Sequence, residues 1–409
     1  MKKSSPIVYL LIAVIVIVVI VGWRTVQEKK FANLALELSD GLLIDPVTVS
    51  GLQYSIPPSD IYNNGTEQGD YPTLTNPSFV SIAEVDEDIG DNILGISVNY
   101  GGSDGVHKFY PYQILNWHPV VIDEVDGSRY AITHDLFCMA DRIYDISSED
   151  DGFTYEASGS VYNNGMLLAD NVTDNLLSQL RDEVVVGDIG TRPTRVETTT
   201  ITWEAWKALY PSGEVLSFDT GYERDYTRHP FGRYDVSELI YFPFNSVDTR
   251  INPKWYVDNV SVGGEHLTLA EGIMEGTGVY NYELGGEDII GLYDRALELT
   301  KVYRNNVNGE ALTFVYDFDD GSISDAETGS TWSPFGLATA GEYKGTQLEY
   351  IDNQGQSFWM CWASNHPETA IAAIDHGPSR EEGNSDLIGA ENEIQVSEDS
   401  SEDEVRVGF

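Results

Sequence analysis

One unit of sequence occurs twice in this 409-residue chain, and the duplication constrains the fold more than any other feature. The first copy reads, in order, ILGISVNYGG, FYPYQILNWHPVVIDEVDGSRYAIT, RIYDI, FTYEASGSVYNNGML and TITWEAWKALYPSGEVLS. The second reads WYVDNVSVGG, GTGVYNYELGGEDIIGLYD, KVYRN, LTFVYDFDDGSISDAETGSTW and QSFWMCWASNHPETAIA. The shared order indicates two pseudo-repeats of one design. We predict copy one at residues 92–218, a linker at 219–254 and copy two at 255–375.

Both copies are rich in short strand-like runs. Segments such as ILGISVNY, RYAITHDLF, GEVLSFD and ALTFVYDF are β-branched or aromatic and are separated by clusters of Gly, Asn and Asp. This pattern is typical of strands joined by turns. Helical periodicity is weak, with short candidates at 203–210, 288–301 and 359–366. The sequence therefore predicts a mainly β fold, with an α+β fold as the alternative.

Each copy ends in a short segment that carries two tryptophans three residues apart. The pairs are Trp203 with Trp206 and Trp359 with Trp362. This spacing places both indoles of a pair on one face of a helix. We therefore expect a short helix to close each repeat by burying Trp206 or Trp362 against a sheet.

The octet DAETGSTW, Asp325 to Trp332, predicts a turn that returns the chain to the core of copy two. Gly329 supplies a permissive backbone, and Asp325 or Thr328 holds the turn through side-chain hydrogen bonds. Trp332 is expected to be buried, whereas the charges of Asp325 and Glu327 are expected to be solvated. The corresponding segment of copy one, ADNVTDNLL at 169–177, shows little of this motif.

The N-terminus contains an apolar run of membrane-spanning length. Pro6 to Gly22 is 17 residues, which as a helix covers roughly 26 Å, close to the hydrocarbon thickness of a bilayer. We predict an uncleaved transmembrane helix within an anchor at residues 1–30; a cleaved signal peptide is the alternative. Residues 31–91 are expected to form a juxtamembrane helix and an irregular lead-in. Lysine and arginine flank both ends of the run, so the flanking charge does not decide the orientation.

The net charge of the chain is −44, with 67 acidic against 23 basic side chains. Nucleic acids and anionic lipid surfaces are therefore excluded as partners of the part that follows the anchor. A solvent of high ionic strength would screen the repulsion between the acids. The acidic segment 376–409 is expected to be a disordered tail.

Three N-x-S/T triplets favour a location outside the cytoplasm. They begin at Asn64, Asn171 and Asn259, each in a polar segment. Together with the apolar N-terminus they predict a single-pass protein of the cell membrane. The bulk of the chain would then be extracytoplasmic, and the membrane would be contacted through the N-terminal helix.

A possible metal site is centred on HDLFCM. Imidazole, thiolate and thioether are the ligand types that copper prefers. The candidate ligands in copy one are His118, His134, Cys138 and Met139, and copy two could add Met360, Cys361 and His366. Two other readings remain open: buried Cys and Met often fill cores, and Cys138 with Cys361 could form a disulfide.

A second candidate site is the segment GYERDYTRHPFGRYD, residues 221–235. It concentrates cationic and imidazole side chains in a chain with few of them: Arg224, Arg228, His229 and Arg233. Arginine forms bidentate pairs with carboxylates, so this segment could bind an anionic ligand or pair with its own aspartates. Because it joins the two copies, a cleft between them would lie beside it.

The sequence shows no phosphate-binding loop of the GxxxxGK[ST] type and no HExxH zinc motif. No catalytic residue is therefore assigned. A binding or structural module is the first functional hypothesis. A copper-handling or redox protein that uses the His, Cys and Met residues is the second.

The segments ILGISVNYGG, KFYPYQILNWHPVVIDEVDGSRYAIT, TWEAWKALYPSGEVLSFDTGYERDYTRHPFGRYD, DAETGSTWSPFGLATAGEYKGTQLE and FWMCWASNHPET occur in this order over residues 92–375. In this combination the chain resembles the domain of unknown function 3179 family. The resemblance implies a membrane-attached or exported domain whose biochemical role is not settled. Members carry a CPLCG-like segment, where this chain has HDLFCMADR with Cys138. Members also carry an acidic residue after WH, where this chain has Pro119. The resemblance thus implies that any chemistry of the family's cysteine pair is altered here.

Overall fold

Strand pairing dominates the computed structural model, which describes residues 52–66, 69–85, 89–100, 105–173, 175–351 and 355–372. These residues form six sheets and only a few short helices, so the prediction of a mainly β chain is confirmed. All of them belong to one compact unit. The predicted anchor at 1–30 and the predicted acidic tail at 376–409 lie outside the described residues. Within the described ranges, no helix has the length and apolar character needed to cross a membrane.

The first half of the fold, up to residue 218, contains the following elements. The strands are β1 (Ile61–Asn63), β2 (Leu74–Thr75), β3 (Phe79–Ser81), β4 (Leu94–Tyr100), β5 (Val106–Pro111), β6 (Val120–Val125), β7 (Ser128–Asp135), β8 (Ala140–Asp145), β9 (Tyr155–Tyr162), β10 (Gly165–Asp170), β11 (Leu176–Ser178), β12 (Glu183–Val186), β13 (Arg195–Val196), β14 (Thr199–Thr202) and β15 (Glu214–Leu216). The helices are α1 (Tyr112–Leu115) and α2 (Trp203–Leu209).

The second half of the fold, from residue 255, contains a shorter set. The strands are β16 (Tyr256–Val262), β17 (Glu265–Ala270), β18 (Val279–Leu284), β19 (Glu287–Asp294), β20 (Leu299–Arg304), β21 (Phe314–Tyr316), β22 (Ile323–Asp325), β23 (Thr331–Trp332), β24 (Ala338–Ala340), β25 (Glu349–Tyr350), β26 (Gln356–Phe358) and β27 (Ala370–Ile371). The helices are α3 (Glu271–Thr277) and α4 (Trp359–Asn365).

The two halves pair their strands in the same way. In the first, β4 and β5 form an antiparallel hairpin, β14 adds to β4, and β15 runs parallel to β5. In the second, β16 and β17 form the hairpin, β26 adds to β16, and β27 runs parallel to β17. In both cases a tryptophan-bearing helix, α2 or α4, connects the two outer strands.

The remaining sheets correspond as well. The first half has a three-stranded antiparallel meander, β6 to β8, with the short strand β13 paired to β8. The second half has the meander β18 to β20, with the short strand β25 paired to β20. A further antiparallel sheet follows in each half, β9 to β12 or β21 to β24. The three short strands of the lead-in, β1 to β3, add to edges of first-half sheets.

The helix predicted at 288–301 is wrong. This segment contains most of β19 and the start of β20, which pair antiparallel from Ile289 with Arg304 to Asp294 with Leu299. The Asp294 carboxylate accepts hydrogen bonds from two backbone amides of the connecting turn. Pairing with neighbouring strands outweighs the helix-forming residues of this stretch, because local propensity is a weak preference.

The closing helices bury their indoles. Trp206 and Trp362 are completely buried, and Trp203 stacks on Trp206 at 5.6 Å between ring centroids. Helix α2 begins where Thr202 caps it by accepting a hydrogen bond from the Ala205 amide. Both rings of the first pair pack on Phe109 of β5, so the helix covers the hairpin sheet.

The octet at 325–332 forms a tight turn. The Asp325 carboxylate accepts from the Thr328 amide at 2.6 Å and from Trp332 Nε1 at 2.9 Å, and Gly329 has a φ of 68°. Asp325 is only 1% exposed, so the expectation that its charge is solvated is wrong. Its carboxylate is buried beside the indole of Trp332 and accepts a hydrogen bond from it. The corresponding Asp170 also caps its turn, at the amides of residues 172 and 173.

The largest core cluster draws on the first half, the linker and the end of the second half. Besides first-half residues it contains Tyr234 and Phe242 from the linker and Phe358 from the second half. Cys138 and Cys361 also lie in this cluster and are joined by a disulfide, with 5.8 Å between their Cα atoms. The two halves therefore share this cluster and a covalent bond, and the second half also has core clusters of its own.

Candidate functional site

The linker, residues 219–254, folds back on the first half and encloses a groove. Two cavities of about 660 and 330 Å³ share Gln113, Tyr226 and Thr227 in their walls. The larger one is otherwise lined by residues 218 and 222–225, and the smaller one extends past His229 and Asp235 to Tyr256. We call the two together the linker groove.

Two contacts fix the linker against the residues that follow α1. Trp117 Nε1 donates to the Arg228 carbonyl at 2.9 Å. His118 Nε2 lies 2.8 Å from the hydroxyl of Tyr226, and its Nδ1 lies 2.9 Å from the Pro72 carbonyl. Burial lowers the pKa of His118 to about 4, so the ring is neutral at pH 7.

A buried polar network positions α1, which forms one wall of the groove. The Asp141 carboxylate accepts from the Tyr112 hydroxyl at 2.6 Å and the Thr200 hydroxyl at 2.5 Å. Its other oxygen lies 2.8 Å from His134 Nδ1, and His134 Nε2 lies 3.3 Å from Asn116 Oδ1. Because every member has a partner and is buried, the network is a rigid support and not a solvent-accessible reaction centre.

Three polar atoms of the groove wall are buried without a hydrogen-bond partner among the described residues: Gln113 Oε1, Arg224 Nε and His229 Nε2. Most buried polar atoms in folded proteins are hydrogen-bonded, and leaving one unpaired costs about 1–3 kcal/mol. All three atoms have almost no accessible surface, so they belong to the packed wall and do not face the open groove.

Arg224 is held without a carboxylate partner in the described part of the chain. Its Nη atoms donate to the Asp70 carbonyl at 3.3 Å and the Glu223 carbonyl at 3.4 Å. The guanidinium carbon lies 5.7 Å from the ring centroid of Trp117, a cation–π arrangement. These contacts orient the side chain but leave Nε without an acceptor.

His229 is a neutral donor at the other end of the groove. Its Nδ1 accepts from the Phe231 amide at 3.1 Å, so the ring proton of the neutral form is on Nε2. Burial lowers the pKa of His229 to about 4, although Asp235 favours the charged form. The Leu136 backbone lies close enough to the ring to favour the charged form as well.

Lys254 lies beside the same end of the groove. Burial lowers its pKa to about 7, and Asp235 opposes the shift. The ammonium lies 3.4 Å from the ring centroid of Tyr234 and donates to the Tyr234 and Leu239 carbonyls. Lys254 thereby fixes the end of the linker.

The predicted copper site is not formed. His118 and His134 are engaged by the partners named above, and Cys138 has no thiolate to offer because it is bonded to Cys361. Met139 is buried and lies in the wall of the smaller cavity. Among the residues that the structure describes, no group of three or more His, Cys, Asp or Glu side chains could hold a metal ion. Sequence spacing could not show that the two cysteines meet.

The predicted arginine segment forms the outer wall of the groove, but its members behave differently. Arg228 pairs with Asp225 at 3.1 Å and is largely exposed, and Arg233 is exposed. Arg224 lines the larger cavity of the groove, and Arg228 and His229 line the smaller one. Gln113, Asn116 and Tyr226 were not predicted; the only sequence signal for the first two is that they follow strand β5, where a chain turns.

Comparison with known families gives one match. The family model described as Protein of unknown function (DUF3179) matches residues 68–369, which include both halves and the linker groove. Neither the curated proteins nor the solved structures contain a match. The match covers most of the chain and agrees with the resemblance carried by the repeat segments, so this protein belongs to the DUF3179 family.

Proposed function

We propose that this protein is a binding module displayed outside the cytoplasm, with the linker groove as its binding site and the N-terminal apolar run as its membrane anchor. The observation that carries the binding role is the groove itself, two adjoining cavities of about 660 and 330 Å³ with charged, amide and aromatic side chains in their walls. The groove volume lies in the range typical of small-molecule sites.

The extracytoplasmic location is supported by the disulfide. Structural disulfides persist in oxidising compartments outside the cytoplasm, and Cys138–Cys361 is buried in the shared core. The glycosylation triplets lend less support than expected. Asn64 and Asn259 are buried, whereas Asn171 is exposed.

Blocking the groove tests the binding role. Thr227 is exposed and lines both cavities, so Thr227→Tyr fills the groove without touching the core. Ligand-observed NMR on the full-length protein, with a panel of small polar metabolites, should give signals that this variant loses. The control is Val172→Tyr, at a side chain 66% exposed in a turn that does not line the groove. Equal signals from both variants, or no signal from the unmodified protein, would contradict the proposal.

Protease treatment of intact cells tests the location. External protease should remove the region recognised by an antibody against residues 52–372, and non-reducing electrophoresis of untreated protein should show the Cys138–Cys361 bond. Protection of this region while other surface proteins are cut would place it inside the cell and refute the display role.

A further inference from the structure

We propose that Asn171 carries an N-linked glycan and that it is the glycosylated member of the three N-x-S/T triplets. This inference rests on the proposed location outside the cytoplasm and adds a covalent modification to it. It follows from the exposure of the Asn171 triplet, the burial of the other two and the comparison of the Asn171 turn with its counterpart in the second half.

The triplet that begins at Asn171 lies on the surface of the protein. Asn171, Val172 and Thr173 are all exposed, and the Val172 side chain is 66% exposed. The three residues form the turn that follows β10, and none of them lines the linker groove. A bulky, solvated sugar chain can be attached at such a turn without displacing protein atoms.

The other two triplets leave no room for a sugar. Asn259 lies in β16 and is completely buried, where its side chain donates to the Ser357 hydroxyl and accepts from the Thr268 hydroxyl. Asn64 is 5% exposed, and its Oδ1 accepts from the amide and the hydroxyl of Thr66. Because packed interiors have no space for an added sugar ring, the fold excludes a glycan at both positions.

The side chain of Asn171 is oriented and keeps a hydrogen that a sugar can replace. Its Oδ1 accepts from the Thr154 amide at 2.9 Å, and its Nδ2 donates to the Gly152 carbonyl at 2.8 Å. Nδ2 carries two hydrogens and makes this one hydrogen bond among the described residues. Replacement of the other hydrogen leaves Oδ1 as the acceptor for Thr154.

The corresponding turn of the second half forms without an asparagine at this position. Its Ala326 amide donates to the Thr313 carbonyl at 2.9 Å, as the Asn171 amide donates to the Thr154 carbonyl at 3.1 Å. The Glu327 carboxylate there accepts from the Thr313 amide, which is the role of Asn171 Oδ1 in the first half. The repeat thus requires an acceptor at this turn, whereas the side-chain nitrogen of Asn171 is an addition of the first half.

The modification is the transfer of a sugar chain from a lipid phosphate or diphosphate, catalysed by a membrane transferase of the cell. A bond forms between Asn171 Nδ2 and the anomeric carbon of the sugar, and the bond from that carbon to the phosphate oxygen breaks. The phosphate leaves with the electron pair, and Nδ2 loses a proton. The Thr173 hydroxyl completes the acceptor triplet.

Mass spectrometry of the full-length protein, purified from the cells that produce it, tests the site. The three triplets lie in separate tryptic peptides, residues 31–108, 143–181 and 255–295. Peptide 143–181 should carry the mass of a sugar chain, and fragmentation should place it on Asn171. The other two should have their unmodified masses. An unmodified peptide 143–181, or an N-linked glycan at Asn64 or Asn259, would overturn the proposal.

Variants of the triplet, produced in the same cells, supply matched controls. Thr173→Ser keeps a hydroxyl and should keep the glycan, whereas Thr173→Val has a similar shape without the hydroxyl and should lose it. Asn171→Gln keeps an amide and the Thr173 hydroxyl and should also lose the glycan. Electrophoretic mobility and the mass of the intact protein measure the loss. A glycan retained in both Thr173→Val and Asn171→Gln would contradict the assignment.

The outcomes separate this inference from the proposed function. If external protease removes residues 52–372 from intact cells but Asn171 is unmodified, the glycosylation site is wrong while the location stands. If this region is protected and Asn171 is unmodified, both the site and the location are wrong.

Discussion

The two halves of the molecule share a strand order but differ in what their central meanders bury. In the first half, His134 of β7 lies opposite Asp141 of β8, and both are completely buried. In the second half, the corresponding opposed pair is Tyr293 and Thr300. The same backbone positions therefore hold a histidine and an aspartate in the first half, and a tyrosine and a threonine in the second.

This difference separates what the fold requires from what the groove requires. The second half folds without a His–Asp pair, so the strand arrangement does not depend on one. In the first half the pair is linked to Tyr112 and Asn116, which lie in the wall of the linker groove. We infer that the polar interior of the first half supports the groove and is not a feature of the repeat itself.

The closing helices show a second contrast. In the first half, His107 stacks on Tyr210, which follows α2, with 4.1 Å between centroids. In the second half, His266 faces His366, which follows α4, at the same 4.1 Å. The position of Tyr210 in the first half is thus occupied by a histidine, His366, in the second. The stability of the two halves should therefore depend differently on pH.

Removing the disulfide should have the largest effect on stability. It tests whether the two halves unfold as one unit. Cys138 and Cys361 are 223 residues apart, and opening a loop of that length destabilises the folded protein by about 5 kcal/mol in the chain-entropy account. Cys138→Ala with Cys361→Ala should lower the urea midpoint and split unfolding into two transitions. A single transition with less than about 1 kcal/mol lost would show that the shared core alone unites the halves.

Trp332→Ala should cost about 3–5 kcal/mol, as truncation of buried aromatics does. Trp332 is 3% exposed and packs against Phe314 in the core of the second half, so its truncation leaves a cavity there. Phe318→Ala is the control, because that ring is 58% exposed and should contribute less than about 1 kcal/mol. Similar losses from both substitutions would contradict the assigned burial.

Asp325→Asn should cost about 1–3 kcal/mol, and more than Asp170→Asn in the corresponding turn. Both carboxylates cap turns, but only Asp325 also accepts from an indole. Burial alone would raise the pKa of Asp325, yet hydrogen bonds from Trp332 and Thr328 hold it below its usual value. Its contribution is therefore present at neutral pH and is lost as the pH falls below about 4. Equal costs at both positions would show that the indole bond adds nothing.

His366→Tyr, which gives the second half the residue of the first, should have a small effect at pH 7 and a clear one in acid. Burial lowers the pKa of His366 to about 3, and His266, Arg181 and Arg142 also disfavour its protonation. Between about pH 6.5 and pH 3 the unfolded chain binds a proton that the folded protein does not, so stability is lost as the pH falls.

The variant should reduce the slope of unfolding free energy against pH in that range by up to about 1.4 kcal/mol per pH unit. Urea titrations at several pH values measure it. Tyr210→Phe is the control in the first half and should leave the slope unchanged. An unaltered slope in His366→Tyr would mean that the ring is protonated in the folded protein.

Elements of the fold that depend on local sequence pattern could be predicted. Elements that depend on contacts between residues far apart in the sequence could not. The closing helices at Trp203 and Trp359 follow from tryptophan spacing, and the strands follow from β-branched and aromatic runs between turn residues. The segment 288–301 was predicted as a helix because its residues favour one, and only pairing of β19 with its neighbours decides otherwise.

The groove could be predicted only in part. The cationic segment that contains Arg224 and His229 stood out by composition, but its opposite wall depends on contacts between Trp117 and Arg228, 111 residues apart. Gln113 does not belong to a sequence motif that marks it as a residue of the groove. The cysteines were ambiguous because a sequence gives no distance between Cα atoms, and the copper interpretation failed for that reason.

The shared core also determines the order in which the fold can be completed during synthesis. Phe358, Met360 and Cys361 belong to the first core cluster, whose other members are made much earlier. Cys138 must wait for a partner 223 residues later in the chain. The first half therefore stays incomplete until almost the entire β region has been synthesised, and its apolar surface is exposed during that interval.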